Sequence, residues 1–212
     1  PFFMRTAGRS PHEAAATFSG FARRYLAALI GVAVVLSLFA QDIVAVVAPA
    51  GFRLAAPLVP IMLASVVTQG FYYLLSNPIL FHKRSTRYLP LVTLAGGAAS
   101  VAGNYLLVPW LGIIGAAWAG VLASVVVVLG AYPLAQRALP MRYEVGRIVG
   151  AALFGAVLVG CSQALAARPL PAGLPILVNL ALAGVFVSAL ACLNLINRDL
   201  LRVAASLFTG RP

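Results

Sequence analysis

The sequence predicts an all-α, polytopic membrane protein, a bundle of six transmembrane helices. Three observations carry this. Mean hydropathy is +1.01, and of the 212 residues 62% are hydrophobic and 9% charged, where a soluble domain has roughly a quarter charged. The apolar residues also gather in six runs, each near the ~20 residues that a spanning helix needs at about 1.5 Å per residue. Finally, the basic residues alternate: of the 15 Lys and Arg, only Arg53 and Arg168 fall in every second loop. Positive charge is retained on the cytoplasmic side, so both ends and the basic loops are expected in the cytoplasm. Five or seven spans would break the alternation.

Residues 1–21 read as a mixed, amphipathic cytoplasmic segment. Ser10-Pro11-His12-Glu13 suits a helix start, with Pro in the first turn and an acid near the positive helix end. A short helix lying on the membrane surface is expected there. The six-helix body covers 22–196, with spans over 22–47, 58–81, 88–108, 112–134, 145–167 and 174–196, and a cytoplasmic tail fills 197–212. Arg23 and Arg24 mark the entry of the first span. His82–Arg87 and the stretch with Arg137, Arg142 and Arg147 form basic loops. Outward loops are on the order of ten residues or fewer, which leaves an outer-face enzyme little room for a site. The chain opens on Pro1 with no signal-peptide pattern and reads as a fragment.

The centre of the chain is the stretch Asn104–Ala123. Pro109-Trp110 ends one apolar run, a turn of about four residues is expected, and Gly112 opens the next. Trp110 suits a membrane–water interface. Gly112, Gly115, Ala116, Ala119 and Gly120 recur at three- and four-residue spacing, which puts small side chains on one face and lets a second helix come close. A tight helical hairpin follows from this pattern. The spacing of Thr93, Gly97, Ser100 and Asn104, and the Gly146/Gly150 pair, predict further packing seams.

Polar residues inside spans mark candidate sites. Ser65, Thr68, Gln69, Tyr72 and Ser76 follow i, i+3, i+4, i+7, i+11 and fall on one narrow arc. Two readings stand: the arc lines a wet substrate cavity, or it supplies helix–helix hydrogen bonds. Asn77-Pro78 is expected to kink the same helix near its cytoplasmic end. Gln163 and Asn179 read as isolated polar residues that water could hydrate near outer ends. Asp42 is the one acid within a span, near its outer end; it is either a hydrated helix-end residue or a coupling acid. Arg23 and Arg24 serve topology, or one of them, Arg24, grips a lipid pyrophosphate as guanidinium groups do. Cys161 and Cys192 read as small buried side chains. No catalytic triad, metal-ligand cluster or phosphate-binding glycine loop is found, so no enzyme activity, cofactor or metal is expected, and nucleic-acid binding is not expected either, because the basic residues sit in short loops.

The hairpin residues Asn104-x-Leu-Leu-Val-Pro109-x-Leu-Gly112-Ile-Ile-Gly115-Ala-Ala-Trp118-Ala119 resemble the second half of the polysaccharide flippases, of the multidrug/oligosaccharidyl-lipid/polysaccharide superfamily. Phe71–Pro90, a span, a basic turn and a Leu-Pro entry, is similar to the stretch that precedes this hairpin in the family. Pro1-Phe2-Phe3 with the following amphipathic stretch and Arg23-Arg24-Tyr25 resembles the link between the family's halves. The resemblance implies the second lobe of a two-lobed transporter in a bacterial inner membrane, with the first lobe upstream as its partner. It implies a lipid-linked oligosaccharide of the undecaprenyl-pyrophosphate type as substrate, membrane lipids as surroundings, and the first two spans facing the central cavity. A drug/cation antiporter of the same superfamily and a non-transporting structural subunit of a polysaccharide assembly system are the alternatives. The antiporter would be expected to show a membrane carboxylate, and this half has none at mid-span.

Overall fold

The computed structural model describes residues 11–49, 51, 55–81, 86–138, 145–166 and 174–192. These form α1 (Pro11–Leu38), α2 (Ala40–Val47), α3 (Leu58–Phe81), α4 (Leu89–Leu111), α5 (Ile113–Ala138), α6 (Val145–Ala166) and α7 (Leu174–Cys192). Six stretches are long and apolar enough to cross a bilayer: Gly20–Leu38, Leu58–Ile79, Leu89–Leu111, Ile113–Arg137, Gly146–Leu165 and Leu174–Ala191. The protein is a multi-pass, all-helical membrane protein. With backbone groups satisfied inside each helix, such segments can cross hydrocarbon.

Two elements differ from expectation. The helix expected to be short instead runs without a break from Pro11 to Leu38. The first span, expected over 22–47, is instead interrupted at Phe39 before the eight-residue α2. The sequence around the break, Ser37-Leu-Phe39-Ala-Gln41, holds neither Gly nor Pro.

The chain divides into two compact units, Pro1–Ala22 with Ala40–Tyr143, and Arg23–Phe39 with Glu144–Pro212. In the first unit, α5 packs against both α3 and α4. The α4–α5 link is a single residue, Gly112, rather than a turn of four, and helix α4 runs through Pro109 to Leu111. Gly112 has φ +57°, a conformation that disfavours a Cβ, and its N–H donates to the Val108 carbonyl at 2.8 Å. Gly115 then lies directly on the Leu107–Val108 backbone, where a Cβ would collide with the Leu107 carbonyl. Further along the seam a Cβ at Gly103 would stand 3.0 Å from the Ala119 Cβ, and one at Gly130 would stand 3.1 Å from Val92. Association in lipid rests on such close backbone approach, since hydrocarbon offers no hydrophobic drive between helices. Leu75, Ile79, Ala131 and Ala135 are fully buried between α3 and α5. Trp110 stands 88% exposed at the hairpin tip, where an amphipathic ring suits an interface.

The α4 seam is not the one read from the sequence. Gly97 meets nothing within 4 Å and is exposed, while its neighbour Gly96 is buried against Val127 on α5. Adjacent helical residues point about 100° apart, so a Gly-Gly pair leaves the choice of face open. Thr93 and Asn104 bond within their own helix, to the Leu89 and Pro90 carbonyls and to the Ser100 carbonyl.

The second unit places the Arg23–Leu38 part of α1 with α6 and α7. Phe186 and Leu190 are fully buried. A Cβ on Gly155 would meet Val34 and, at 3.1 Å, Phe186, and the Phe154 and Phe186 rings stack with centroids 6.2 Å apart. Gly155 is thus the close-contact glycine of α6. Gly146 and Gly150, expected as the seam, meet nothing within 4 Å. Cys161, expected to be buried, is exposed, and the Cys192 side chain lies outside the described residues.

Candidate functional site

Helix α3 carries the candidate site. Apolar residues dominate its 24 positions, so each polar side chain needs a partner or water. Taking Ser65 as zero and about 100° per residue, Thr68, Tyr72, Ser65, Ser76 and Gln69 span roughly −60° to +40°. The α5 contact occupies the negative part of that range. Ser65 Oγ donates to the Gly120 carbonyl of α5 at 3.3 Å, and Tyr72 packs against the buried cluster of Leu75, Ile79, Ala131 and Ala135. Thr68 Oγ1 turns back to the Ala64 carbonyl at 2.9 Å. For Ser65 the hydroxyl therefore serves helix packing.

The exposed polar surface lies further round. Gln69, Tyr73 and Asn77 follow i, i+4, i+8, at about +40°, +80° and +120° on the same wheel. Tyr73 is 54% exposed, and Gln69 and Asn77 are exposed too. Gln69 Nε2 donates to the Tyr73 hydroxyl at 3.5 Å, a long contact that leaves most of the amide's capacity open. Ser76 Oγ and Asn77 Nδ2 both donate to the Tyr73 carbonyl at 2.9 Å. Tyr72 and Tyr73 rings lie 5.8 Å apart, tilted 48°. On one side of this stripe Leu75 and Ile79 are buried, on the other Gly70 and Leu74. The stripe offers amide and hydroxyl donors and acceptors with no formal charge. It suits water or a neutral, hydroxyl-rich group.

The sequence reading placed Gln69 and Ser76 here but omitted Tyr73 and took Asn77 only as part of a kink. The signal was present: four-residue steps from Gln69 reach both. Helix α3 continues through Pro78 to Phe81, and its end is held by Thr86 Oγ1, which donates to the Ile79 carbonyl at 2.9 Å.

Arg24 is exposed and belongs to the second unit. Asp42 is half-exposed in the first turn of α2, where a carboxylate favours the positive helix end. Among the described residues no group of three or more His, Cys, Asp or Glu comes together to hold a metal ion.

A second polar centre, in the second unit, was not foreseen. Asn179, expected to be hydrated, is 8% exposed. Its Nδ2 donates to the Leu38 carbonyl at 2.9 Å, and its Oδ1 accepts from Ser162 Oγ at 2.6 Å. A carbonyl only accepts, so the amide orientation follows from the network itself. Three helices, α1, α6 and α7, meet at this amide, and the carbonyl it holds is the one at the break before Phe39. The network is buried and satisfied, which marks it as architecture.

No protein-family model, curated protein or solved structure matches the chain.

Proposed function

We propose that the chain is one lobe of a membrane transporter, the second lobe of a flippase that moves lipid-linked oligosaccharide across a bacterial inner membrane. The observation that carries this is the exposed, uncharged polar stripe Gln69–Tyr73–Asn77 within the apolar helix α3. Hydrocarbon rejects amides that lack partners, so such a face belongs beside water, substrate or another polar surface. Amides and phenols pair with sugar hydroxyls and leave the isoprenoid tail in the bilayer. Two lobes rocking about a midplane site would give alternating access. The flippase resemblance of the α4–α5 hairpin supports the substrate class, and the alternation of basic loops supports cytoplasmic ends.

The test uses the complete transporter with Gln69→Leu and Asn77→Leu, reconstituted in proteoliposomes, with translocation of lipid-linked oligosaccharide as readout. At matched protein levels the rate is expected to fall about tenfold, the worth of roughly 1.4 kcal/mol of lost hydrogen bonding. An unchanged rate in both variants would overturn the assignment of this face to the transport path.

A further inference from the structure

A groove of about 410 Å³ runs along the α4–α5 hairpin at the end opposite its tip. Its apolar walls are Leu91, Val92 and Ala95 of α4 and Val126, Pro133 and Leu134 of α5. On its floor Gly130 lets the two helices close, with Val92 where an added Cβ would stand 3.1 Å away, and Ala95 adds only a methyl group to the wall. The span from Val126 to Arg137 is eleven residues, about 16 Å at 1.5 Å per residue. That is close to half of the ~30 Å hydrocarbon core, the depth of one leaflet.

The mouth is different in kind. Arg137, in the last turn of α5, and Tyr88, at the start of α4, line it. Next to them the Arg87 guanidinium lies 4.7 Å over the Tyr88 ring and donates from Nη2 to the Tyr88 hydroxyl at 2.6 Å. The Tyr88 oxygen accepts that bond, which leaves its own hydrogen to donate outward. Two guanidinium groups and a phenol thus stand at the interface end of an apolar slot one leaflet deep.

We infer that this groove holds an anionic phospholipid of the leaflet on the Arg87–Arg137 side, with one acyl chain along Val92, Ala95 and Gly130 and the phosphate at Arg137 and the Tyr88 hydroxyl. Charge complementarity selects the headgroup, because a zwitterionic lipid brings an ammonium group towards the same two cations. The length of the slot selects an acyl chain, and the surrounding bilayer supplies it. The site is independent of the α3 stripe and stands whether or not the chain transports oligosaccharide.

The test titrates the purified full chain in detergent with phosphatidylglycerol or phosphatidylcholine and counts bound lipid by native mass spectrometry. Phosphatidylglycerol is expected to bind about fivefold more tightly, the worth of one basic side chain against an anionic lipid surface. Arg137→Gln should abolish the preference. Ala95→Phe, which fills the slot, should remove the first bound phosphatidylglycerol, whereas Leu94→Phe on the exposed neighbouring position should keep it. Equal binding of the two lipids by the unaltered chain would overturn the inference, as would identical behaviour of the Ala95 and Leu94 variants. Tighter binding of undecaprenyl phosphate than of phosphatidylglycerol, lost in Ala95→Phe, would overturn it in favour of an isoprenoid occupant. Far-UV circular dichroism checks that each variant keeps its helices.

Discussion

Replacing Asn179 with Leu removes the amide that hydrogen-bonds α1, α6 and α7 together. Leucine keeps the branching and the number of side-chain heavy atoms, so the change removes the polar groups without opening a cavity. Two hydrogen bonds disappear, the 2.9 Å bond to the Leu38 carbonyl and the 2.6 Å bond from Ser162. Interhelical hydrogen bonds in membranes are worth ~0.6 kcal/mol on average and up to about 1.7, so the pair predicts a loss of roughly 1–3 kcal/mol. The Ser162 hydroxyl can fall back on a carbonyl of its own helix. Asn179 makes both bonds and Ser162 only one. Ser162→Ala alone should therefore cost less, about 0.5–1.5 kcal/mol, and the double variant should cost less than the sum because the two residues share a bond. Reversible unfolding in mixed micelles, followed by circular dichroism, reads these values. Asn179→Leu as stable as the unaltered protein, or strict additivity with Ser162→Ala, would refute the three-helix tie.

Gly103→Leu should destabilise by about 1–3 kcal/mol through overpacking against Ala119, while Gly97→Leu should stay within about 0.5 kcal/mol, both read by the same unfolding titration. Gly115→Ala forces a methyl onto the Leu107 carbonyl, so the hairpin must open; a crosslink engineered between α4 and α5 should form more slowly. Gly112→Ala places a Cβ at φ +57° and should cost about 1–2 kcal/mol. Reporter fusions in the loops after α3 and α5 are expected to report the cytoplasm and one in the α4–α5 link the opposite side; the same side for all three would refute the topology.

The spans were legible because length and hydropathy act over twenty residues at once. Six apolar runs were expected and six long apolar helices are found. Features that hang on a single residue or a distant partner were not legible. Nothing local in Leu38-Phe39-Ala40 signals a break, and the side chain that holds it, Asn179, lies 141 residues away. The Gly96-Gly97 pair offered two faces, and only the position of α5 chooses between them. The hairpin tip was too tight to foresee, because Pro109 suggested an early stop, yet a proline in the last turn leaves the helix free to run to Leu111. On α3 the exposed polar residues are turned from the arc read in the sequence. Their centre lies near Tyr73, about 80° round from Ser65, since α5 covers the side that Ser65 and Tyr72 occupy. Small residues read correctly at Gly115 and Ala119, where several recur on one face, and incorrectly at Gly146 and Gly150, where only two do.

The central claim is that a polar face of α3 meets water inside a membrane bundle. Cysteine accessibility tests it most directly, in the complete protein with Cys161→Ala and Cys192→Ala as background. Gln69→Cys, Tyr73→Cys and Asn77→Cys should react with a membrane-impermeant thiol reagent, since thiolate forms only where water reaches. Leu94→Cys and Val101→Cys, on exposed apolar positions of α4, should stay unreactive. If the three α3 positions are as inert as those on α4, the stripe faces no aqueous path and the transporter assignment loses its carrying observation.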